Sequence, residues 1–566
     1  MWINYLDQAL LLAALAVSVN LLVGYAGQVS VAHAAFAGVG GYAVCFLAGV
    51  HGWPYLASLA VAVLVATAFG VVIGLIALGL AQEFLILMTL AFSLGIIGVF
   101  ATFDSLGGVM GITGVGGLRL FGVELDGPSD WLVPSAAVLA LVFAVCHRLG
   151  ESPYGRVLKG IREDAVATRA LGKNTFGRKV GIFAITSGLT GLVGGVYAGW
   201  LGQATPSAFG FPLAMAVFAM VIVGGNANLL GSVVAGVALT MIEPVLREVL
   251  GVQSTQAALW QVVLYGALLV LVMIVRPQGL FPERSRRVVA PGTAAGRAAV
   301  SPRAPSERVV DADAEVVLRA DGLSKRFGGI TAAKDIALEL RRGTITALVG
   351  PNGAGKTTAF NLLTGTVVPD AGSVRLNGAE LVGMRPDLIV RAGLVRTFQD
   401  VRLLDRLTCL ENVMLAVPGQ PGERLGRLFV PGRHVSRADR DAAAQAMEWL
   451  GFVGMADHAG TPAGALSYGQ SKLVSLARAL ATRADVLLLD EPASGVDAAW
   501  VDTMLAMVAA VRDEGRTVCL VEHNLDVVRE LSDHTYFMEL GEITASGTIA
   551  ELTGSARLAE AYFGAQ

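Results

Sequence analysis

Apolar residues in the first half of the chain come in unbroken runs, not in the stripes of a surface helix or the alternation of a half-buried strand. The runs lie at about 8–26, 31–50, 55–79, 84–103, 131–147, 180–202, 212–224, 229–250 and 258–276. A helix needs about 20 such residues to cross a bilayer. The pattern therefore predicts an all-α polytopic membrane region of eight or nine spans. The run at 212–224 is short and leads into Gly224-Gly225-Asn226-Ala227-Asn228, which fits a half-helix or a re-entrant element. From about Ala314 the pattern changes. Short β-type runs, Val316–Arg319, Thr344–Val349 and Val486–Leu489, alternate with helical stretches, as in an α/β domain on a largely parallel sheet. Residues 283–314 are rich in Ala, Arg, Pro and Gly without apolar period and read as a flexible linker. A coil of about 30 residues spans roughly 30 Å. The expected division is a membrane domain over 1–282, a linker over 283–314 and an α/β domain over 315–566.

Charge sharpens the division. Arg119 is the only Lys or Arg before Arg148, and Arg247 the only one from Val180 to Val275. A basic residue at the middle of a spanning helix costs roughly 2.5–3.5 kcal/mol on insertion scales, so a bilayer-embedded segment must lack them. Arg148, Arg156, Lys159, Arg162, Arg169, Lys173, Arg178 and Lys179 crowd one stretch, 151–179 with its edge, which reads as a cytoplasmic loop by the positive-inside rule. Arg276, Arg284, Arg286 and Arg287 place the end of the last span on the same side. The first apolar run lacks a basic leader and continues into more apolar sequence, which reads as a retained span, not a cleavable signal. Ser187, Gly191, Gly195 and Gly199 fall on one helix face, and Gly70 and Gly74 repeat the spacing, as close helix packing requires. Cys45, Cys146, Cys409 and Cys519 form no CxxC pair and read as small buried hydrophobes. A net charge of −3 argues against a nucleic-acid partner.

The candidate chemistry sits in the second half. Gly350-Pro351-Asn352-Gly353-Ala354-Gly355-Lys356-Thr357-Thr358 fits G-x-x-x-x-G-K-[ST], follows a strand and opens a helix. Glycines in such a loop let backbone N–H groups close on phosphates, the lysine reaches the β- and γ-phosphates, and the Thr357 hydroxyl ligates Mg²⁺. Downstream, the buried run from Val486 ends in Asp490 and Glu491. Asp490 suits the Mg²⁺ shell, and Glu491 is placed to act on an attacking water.

Leu466-Ser467-Tyr468-Gly469-Gln470 resembles the signature motif of ABC ATPases. Other parts of that family's set accompany it in order: Gln399 in Arg396-Thr397-Phe398-Gln399, Asp497 in Ser494-Gly495-Val496-Asp497, His523 after a strand, and Phe327 near the start. The resemblance implies a P-loop ABC ATPase fold with ATP and Mg²⁺ as cofactors. It implies Glu491 as base, His523 as γ-phosphate sensor, Gln399 beside the metal, and Phe327 stacked on adenine. ATP would lie between one subunit's loop and the facing subunit's Ser467, Gly469 and Gln470, with Asp497 nearby, so one copy cannot complete a site.

The membrane half resembles permeases of branched-chain (hydrophobic) amino-acid ABC importers. The resemblance is carried by Asn20 to Phe36 with Gln28 and His33, by Gly155-Arg156 with Ile161-Arg162-Glu163-Asp164 and Ala170 to Asn174, and by Arg276-Pro277-Gln278-Gly279-Leu280-Phe281-Pro282. The end of the chain, Ala559 to Gly564, fits the same system. The resemblance implies ATP-driven import of a small amino-acid-like solute across a bacterial inner membrane. Related systems carry urea, amides or aromatic acids. An exporter half-transporter and an ATP-gated module without transport are the competing readings, and the short basic loop favours import. Expected partners are membrane lipid, an extracytoplasmic solute-binding protein, a second permease and a second ATPase, or a second copy of this chain. Arg162, Glu163 and Asp164 are expected on a short helix that couples the two halves near Gln399. Gln28 and His33 are polar groups beside a span and are candidates for the solute pathway. The chain departs from the family pattern around Gly79 to Phe84, at Ser471-Lys472, and at Asn524 after His523.

Overall fold

The computed structural model describes residues 2–77, 82–115, 118–120, 123–125, 127, 129–283, 314–430, 433–495 and 498–554. Asp497, most of the 283–314 segment, the basic residues Arg284, Arg286 and Arg287, the stretch around Gly79 and the terminal Ala559 to Gly564 lie outside the described residues. Within them the chain forms two compact units. Residues 2–162 and 175–283 form the first, and residues 163–174 join 314–554 in the second.

Among the described residues the first unit has nine helical stretches long and apolar enough to cross a membrane: Trp2–Tyr25, His33–Val50, Tyr55–Ile76, Glu83–Thr102, Leu132–Gly150, Thr175–Leu201, Pro206–Gly224, Leu229–Val249 and Ser254–Val275. Two expectations are corrected. The short run at 212–224 is not a half-helix. A 3₁₀ turn, Pro206–Phe209, precedes the helix Phe211–Gly224, and together they reach spanning length. The basic stretch 151–179 does not carry one continuous helix through Arg162, Glu163 and Asp164. It holds the helices Pro153–Glu163 and Ala165–Arg169, and Arg178 and Lys179 belong to the next long helix. The break at Asp164 has a local cause, because its carboxylate caps the second short helix by accepting from Val166 N and Ala167 N.

The small residues pack as their spacing predicts. A Cβ at Gly191 would strike Ala66, one at Gly195 would lie 2.8 Å from Leu59 Cδ2, and one at Gly70 would strike the Ser187 hydroxyl. The three stretches that carry the permease resemblance converge at one end of this unit. Asn20 Nδ2 donates to Gly225 O (3.0 Å), Asn228 O (3.1 Å) and Ser232 Oγ (2.6 Å), while its Oδ1 accepts from Ala227 N. Asn228 Nδ2 donates to Pro282 O at 3.0 Å, and Leu280 N to Val223 O at 2.9 Å. Arg162 Nη1 donates to Gly24 O at 2.6 Å, and Arg162 and Lys159 both pair with Glu283 at 2.9 Å.

The second unit is built on a six-stranded sheet in the order Leu394–Arg396, Val486–Asp490, Thr517–Val521, Ile345–Val349, His534–Glu539, Glu542–Gly547. All neighbours are parallel except the last pair. The three middle five-residue strands are buried throughout, which is why they read as continuous apolar runs. A separate four-stranded antiparallel sheet contains the long strands Val316–Phe327 and Ile330–Arg341. Its inward residues, among them Leu318, Leu323, Ile336 and Leu340, share one core with Phe360 and Leu363 behind the loop at 350–355. The four cysteines are buried and free.

Candidate functional site

The loop 350–355 leaves the central strand Ile345–Val349 and runs directly into the helix Lys356–Leu363. Glycine is required here for space as well as conformation. Gly350 has φ +154°, and a Cβ on it would strike the Met538 carbonyl; Gly355 has φ +103°, and its Cβ would lie 2.5 Å from Ala332 O. Lys356 Nζ folds over the loop and donates to Gly350 O (2.8 Å) and Pro351 O (2.9 Å). Burial lowers its pKa, although Glu491 and Asp490 pull the other way. An ammonium held between two carbonyls and two carboxylates is a cation positioned for an anionic ligand.

The loop borders a cleft of about 410 Å³, lined also by Gln399, Glu491 and His523. These three come together although they lie on three separate segments. Gln399 Nε2 donates to Glu491 Oε2 at 3.1 Å, and His523 Nε2 lies 2.6 Å from Glu491 Oε1. Glu491 has φ +48°, a rare conformation for a carboxylate residue. It is held there by its own N–H on Val521 O (2.9 Å) and by Lys472 Nζ donating to its carbonyl (2.6 Å). Lys472, on the helix Tyr468–Ala481, was noted in the sequence only as a departure. Glu522, its pKa raised by burial, accepts from Ala493 N and His523 N and so ties the segment after Glu491 to the end of the neighbouring strand.

The oxygen donors for a metal are present. Thr357 lines the cleft, Gln399 is beside it, and Asp490 lies buried at the strand end. No group of three His, Cys, Asp or Glu that could hold a metal occurs among the described residues. Such a donor set suits Mg²⁺, which takes one or two carboxylates and completes its shell with water and phosphate oxygens. Asp490 is itself paired with Arg396, a residue that the sequence reading quoted without a role.

Two groups of expected site residues are elsewhere. Phe327 is half exposed, with Lys325 Nζ 5.7 Å from its ring centre, and does not line the cleft. The lining at that side comes from Ile330, Thr331, Leu540 and Gly541, which the sequence reading missed. Their signal is exposure: Ile330 is 73% and Leu540 83% exposed, unusual for large aliphatic residues. Ser467, Gly469 and Gln470 are also outside the lining. Ser467 caps its helix, its hydroxyl accepting from Gln470 N, and Gln470 Oε1 accepts from Ser467 N in return.

Arg162, Glu163 and Asp164 are divided between the two units. Arg162 belongs to the first unit, and the division falls directly after it. In the second unit Asp164 pairs with Arg402 (3.1 Å) and Glu163 Oε2 accepts from Arg406 N (3.1 Å), just beyond Gln399. Arg478, on the helix that Ser467 caps, is fully buried; burial lowers its pKa to about 10 against the pull of Asp164. In the first unit Gln28 is buried, and His33 Nε2 lies 3.2 Å from Thr186 Oγ1.

Comparison with known proteins matches residues 1–273 to the family described as branched-chain amino acid transport system, permease component, and residues 333–494 to the ABC transporter family. The chain is similar to the high-affinity branched-chain amino acid transport ATP-binding protein BraF of Pseudomonas aeruginosa, at 37% identity over 44% of this chain and 98% of that protein. It is similar to LivG of Salmonella typhimurium, of the same description, at 38% identity over 44% and 98%. A solved nucleotide-free ATP-binding cassette from an ABC transporter matches at 31% identity, covering 44% of this chain and all of that one, with a TM-score of 0.40.

Proposed function

We propose, on the premise that this chain belongs to the ABC transporter family of branched-chain amino-acid transport systems, that it imports branched-chain amino acids with energy from ATP hydrolysis. It is a membrane protein carrying its own nucleotide-binding ATPase. Residues 1–282 form the permease, 283–314 tether it, and 315–566 form the ATPase, facing the cytoplasm of a bacterium from its inner membrane.

The observation that carries the reading is the Glu491 carboxylate, held between the Gln399 amide and the His523 imidazole on the rim of the cleft. Glu491 takes the proton of the attacking water. His523 reports on the γ-phosphate and turns the carboxylate by its short contact. Backbone N–H groups of 352–358 and the Lys356 ammonium hold the phosphates. Thr357, Asp490 and Gln399 would hold Mg²⁺, which would neutralise charge on the phosphate oxygens.

The chain carries one permease and one ATPase and works with partner subunits as a dimer. Ser467, Gly469 and Gln470 lie outside their own cleft, which supports a second ATPase facing it. The companion is a second copy or a permease and ATPase of the same system, and an extracytoplasmic binding protein delivers the solute. Glu163 and Asp164, gripped by the segment after Gln399, transmit closure of the ATPase to the spans.

Uptake in a deletion strain carrying the full chain tests the reading with labelled leucine, isoleucine, valine, urea, a short amide and an aromatic acid. Energy-dependent accumulation of the three aliphatic amino acids is expected. Accumulation confined to the others would overturn the solute assignment.

A further inference from the structure

In the first unit the chain between the first two spans is non-helical over 27–30, and the helix resumes at His33. The tautomer of buried His33 follows from its neighbour. Thr186 Oγ1 lies 2.9 Å from Ile182 O and 3.2 Å from Phe183 O, groups that only accept. The single hydroxyl proton therefore goes to the backbone, and His33 must donate from Nε2 to Thr186 Oγ1. Its ring neighbours are Phe36 and Phe183, and a buried cation without counter-ion is costly, so the ring is neutral. Nδ1 then carries a bare lone pair, and among the described residues it has no hydrogen-bond partner. A buried acceptor left unmet is costly.

His33 lines a cavity with Ser30 and Ala34, whose walls are the aliphatic Leu15, Val19, Leu213 and Val217. The cavity also meets the start of the helix His33–Val44. Phe36 N is bonded to Ala32 O at 2.9 Å, so the N–H groups of His33, Ala34 and Ala35 stand ahead of that first bond, at the positive end of the helix dipole. In this conformation the space is about 10 Å³, room for roughly one water. Admission of a solute requires the stretch Pro206–Gly224 to part from Trp2–Tyr25.

We propose that this cavity is the closed form of the solute site, and that it takes an aliphatic α-amino acid as its zwitterion. His33 Nδ1 accepts from the α-ammonium, the N-terminus of the helix at His33 meets the carboxylate, and the aliphatic walls take the side chain. A site of dipoles without fixed charge matches a solute with no net charge and allows its release. The proposal rests on the reading of the chain as an amino-acid importer.

The test is uptake of labelled leucine and labelled alanine by a deletion strain carrying the full chain, normalised to the amount of chain in the membrane, with ATPase activity of the same membranes. His33→Gln reaches Thr186 with an amide N–H but leaves no acceptor at Nδ1; His33→Asn places an acceptor near Nδ1 but cannot reach Thr186. Leucine uptake is expected to fall about tenfold or more in His33→Gln and to be better preserved in His33→Asn. Ala214→Leu, which fills the cavity, is expected to reduce leucine uptake several-fold more than alanine uptake. The reverse order of the two His33 variants would assign His33 to packing against Thr186, and equal loss of both solutes in Ala214→Leu would overturn the site. Absence of leucine uptake by the unaltered chain would instead overturn the importer reading itself.

Discussion

Arg396 Nη2 lies 2.6 Å from Asp490 Oδ2 in the core of the ATPase, while Arg396 Nη1 donates to Asn361 Oδ1 at 2.5 Å. Phe360 and Phe398 flank the guanidinium at 5.4 and 5.5 Å. Both charges are at least nine-tenths buried. Removing one partner of such a pair costs about 3–5 kcal/mol, because the other charge is left buried and unpaired. Asp490 is also the carboxylate proposed for Mg²⁺, so the arginine holds its place in the absence of metal. Arg396→Met is expected to lower the melting temperature of the full chain by several degrees in chelator. Mg²⁺ with ADP should then raise it by more than it raises the unaltered chain. Equal increments in the two proteins would separate Arg396 from the metal site.

Glu491→Gln keeps the shape of the side chain and its bond from Gln399, but cannot take a proton. Hydrolysis is expected to fall about 10²–10⁴-fold, the usual contribution of a general base. Binding of a fluorescent ATP analogue should persist. Near-normal turnover would remove Glu491 as the base.

Asp164 has two roles that one substitution separates. Its Oδ1 caps the helix Ala165–Arg169 and its Oδ2 pairs with Arg402. Asp164→Asn keeps an acceptor for the cap and removes the charge. An ion pair this exposed contributes about 0–1 kcal/mol to stability, and because Asp164 also offsets the buried Arg478 charge, the melting temperature is measured beside uptake. Uptake is expected to drop severalfold while ATP hydrolysis continues. Uptake at the unaltered rate would show that the pair with Arg402 transmits nothing.

What could be read from the sequence divides by how local its cause is. Lys356, Thr357, Asp490 and Glu491 were legible because a loop and a strand end place them, and both are fixed by nearest neighbours in the chain. The fold class was legible for the same reason, since unbroken apolar runs report burial directly. Ile330 and Leu540 were not legible as cleft residues, because a hairpin and a turn some 200 residues apart close on one loop only in the folded unit. Arg396 offered a signal that went unused: a charged residue ending an otherwise apolar strand must have a buried partner. The break of the expected short helix at Asp164 was not legible, and the basic residues of 151–179 find partners remote in sequence, Glu283 for Lys159 and Arg162 and Glu423 for Lys173.

Glu283 is the first residue of the tether and a titrating part of the first unit. Burial raises its pKa, but Lys159 and Arg162 outweigh burial and hold it below the usual carboxylate range. A carboxyl depressed in the fold is protonated more readily in the unfolded chain. It therefore contributes stability above about pH 4.5, its unfolded value, and loses it as pH falls through the lower folded value. Glu283→Gln should lower the melting temperature at pH 7 by an amount corresponding to about 1–3 kcal/mol. The gap from the unaltered chain should narrow as pH is taken below 4.5. A gap independent of pH would mean that shape, not charge, is what Glu283 supplies.

The apolar rim of the nucleotide cleft can be told from the aromatic residue expected there. Ile330 and Leu540 line the cleft, whereas Phe327 sits outside it under Lys325. A flat purine laid on the rim would cover aliphatic surface that water now touches, at roughly 25 cal/mol per Å². Losing about 1 kcal/mol of that contact weakens binding about fivefold. Ile330→Ser and Leu540→Ser are each expected to weaken ATP binding about that much, and Phe327→Ala to change it less than twofold, in titrations of the full chain with a fluorescent nucleotide. The substitutions are on exposed side chains and leave the core of the sheet intact, so a change in affinity reports the cleft and not the fold. If Phe327→Ala alone weakened binding, the hairpin would have to swing its tip over the cleft when nucleotide enters, carrying Phe327 onto the base and Ile330 away from it.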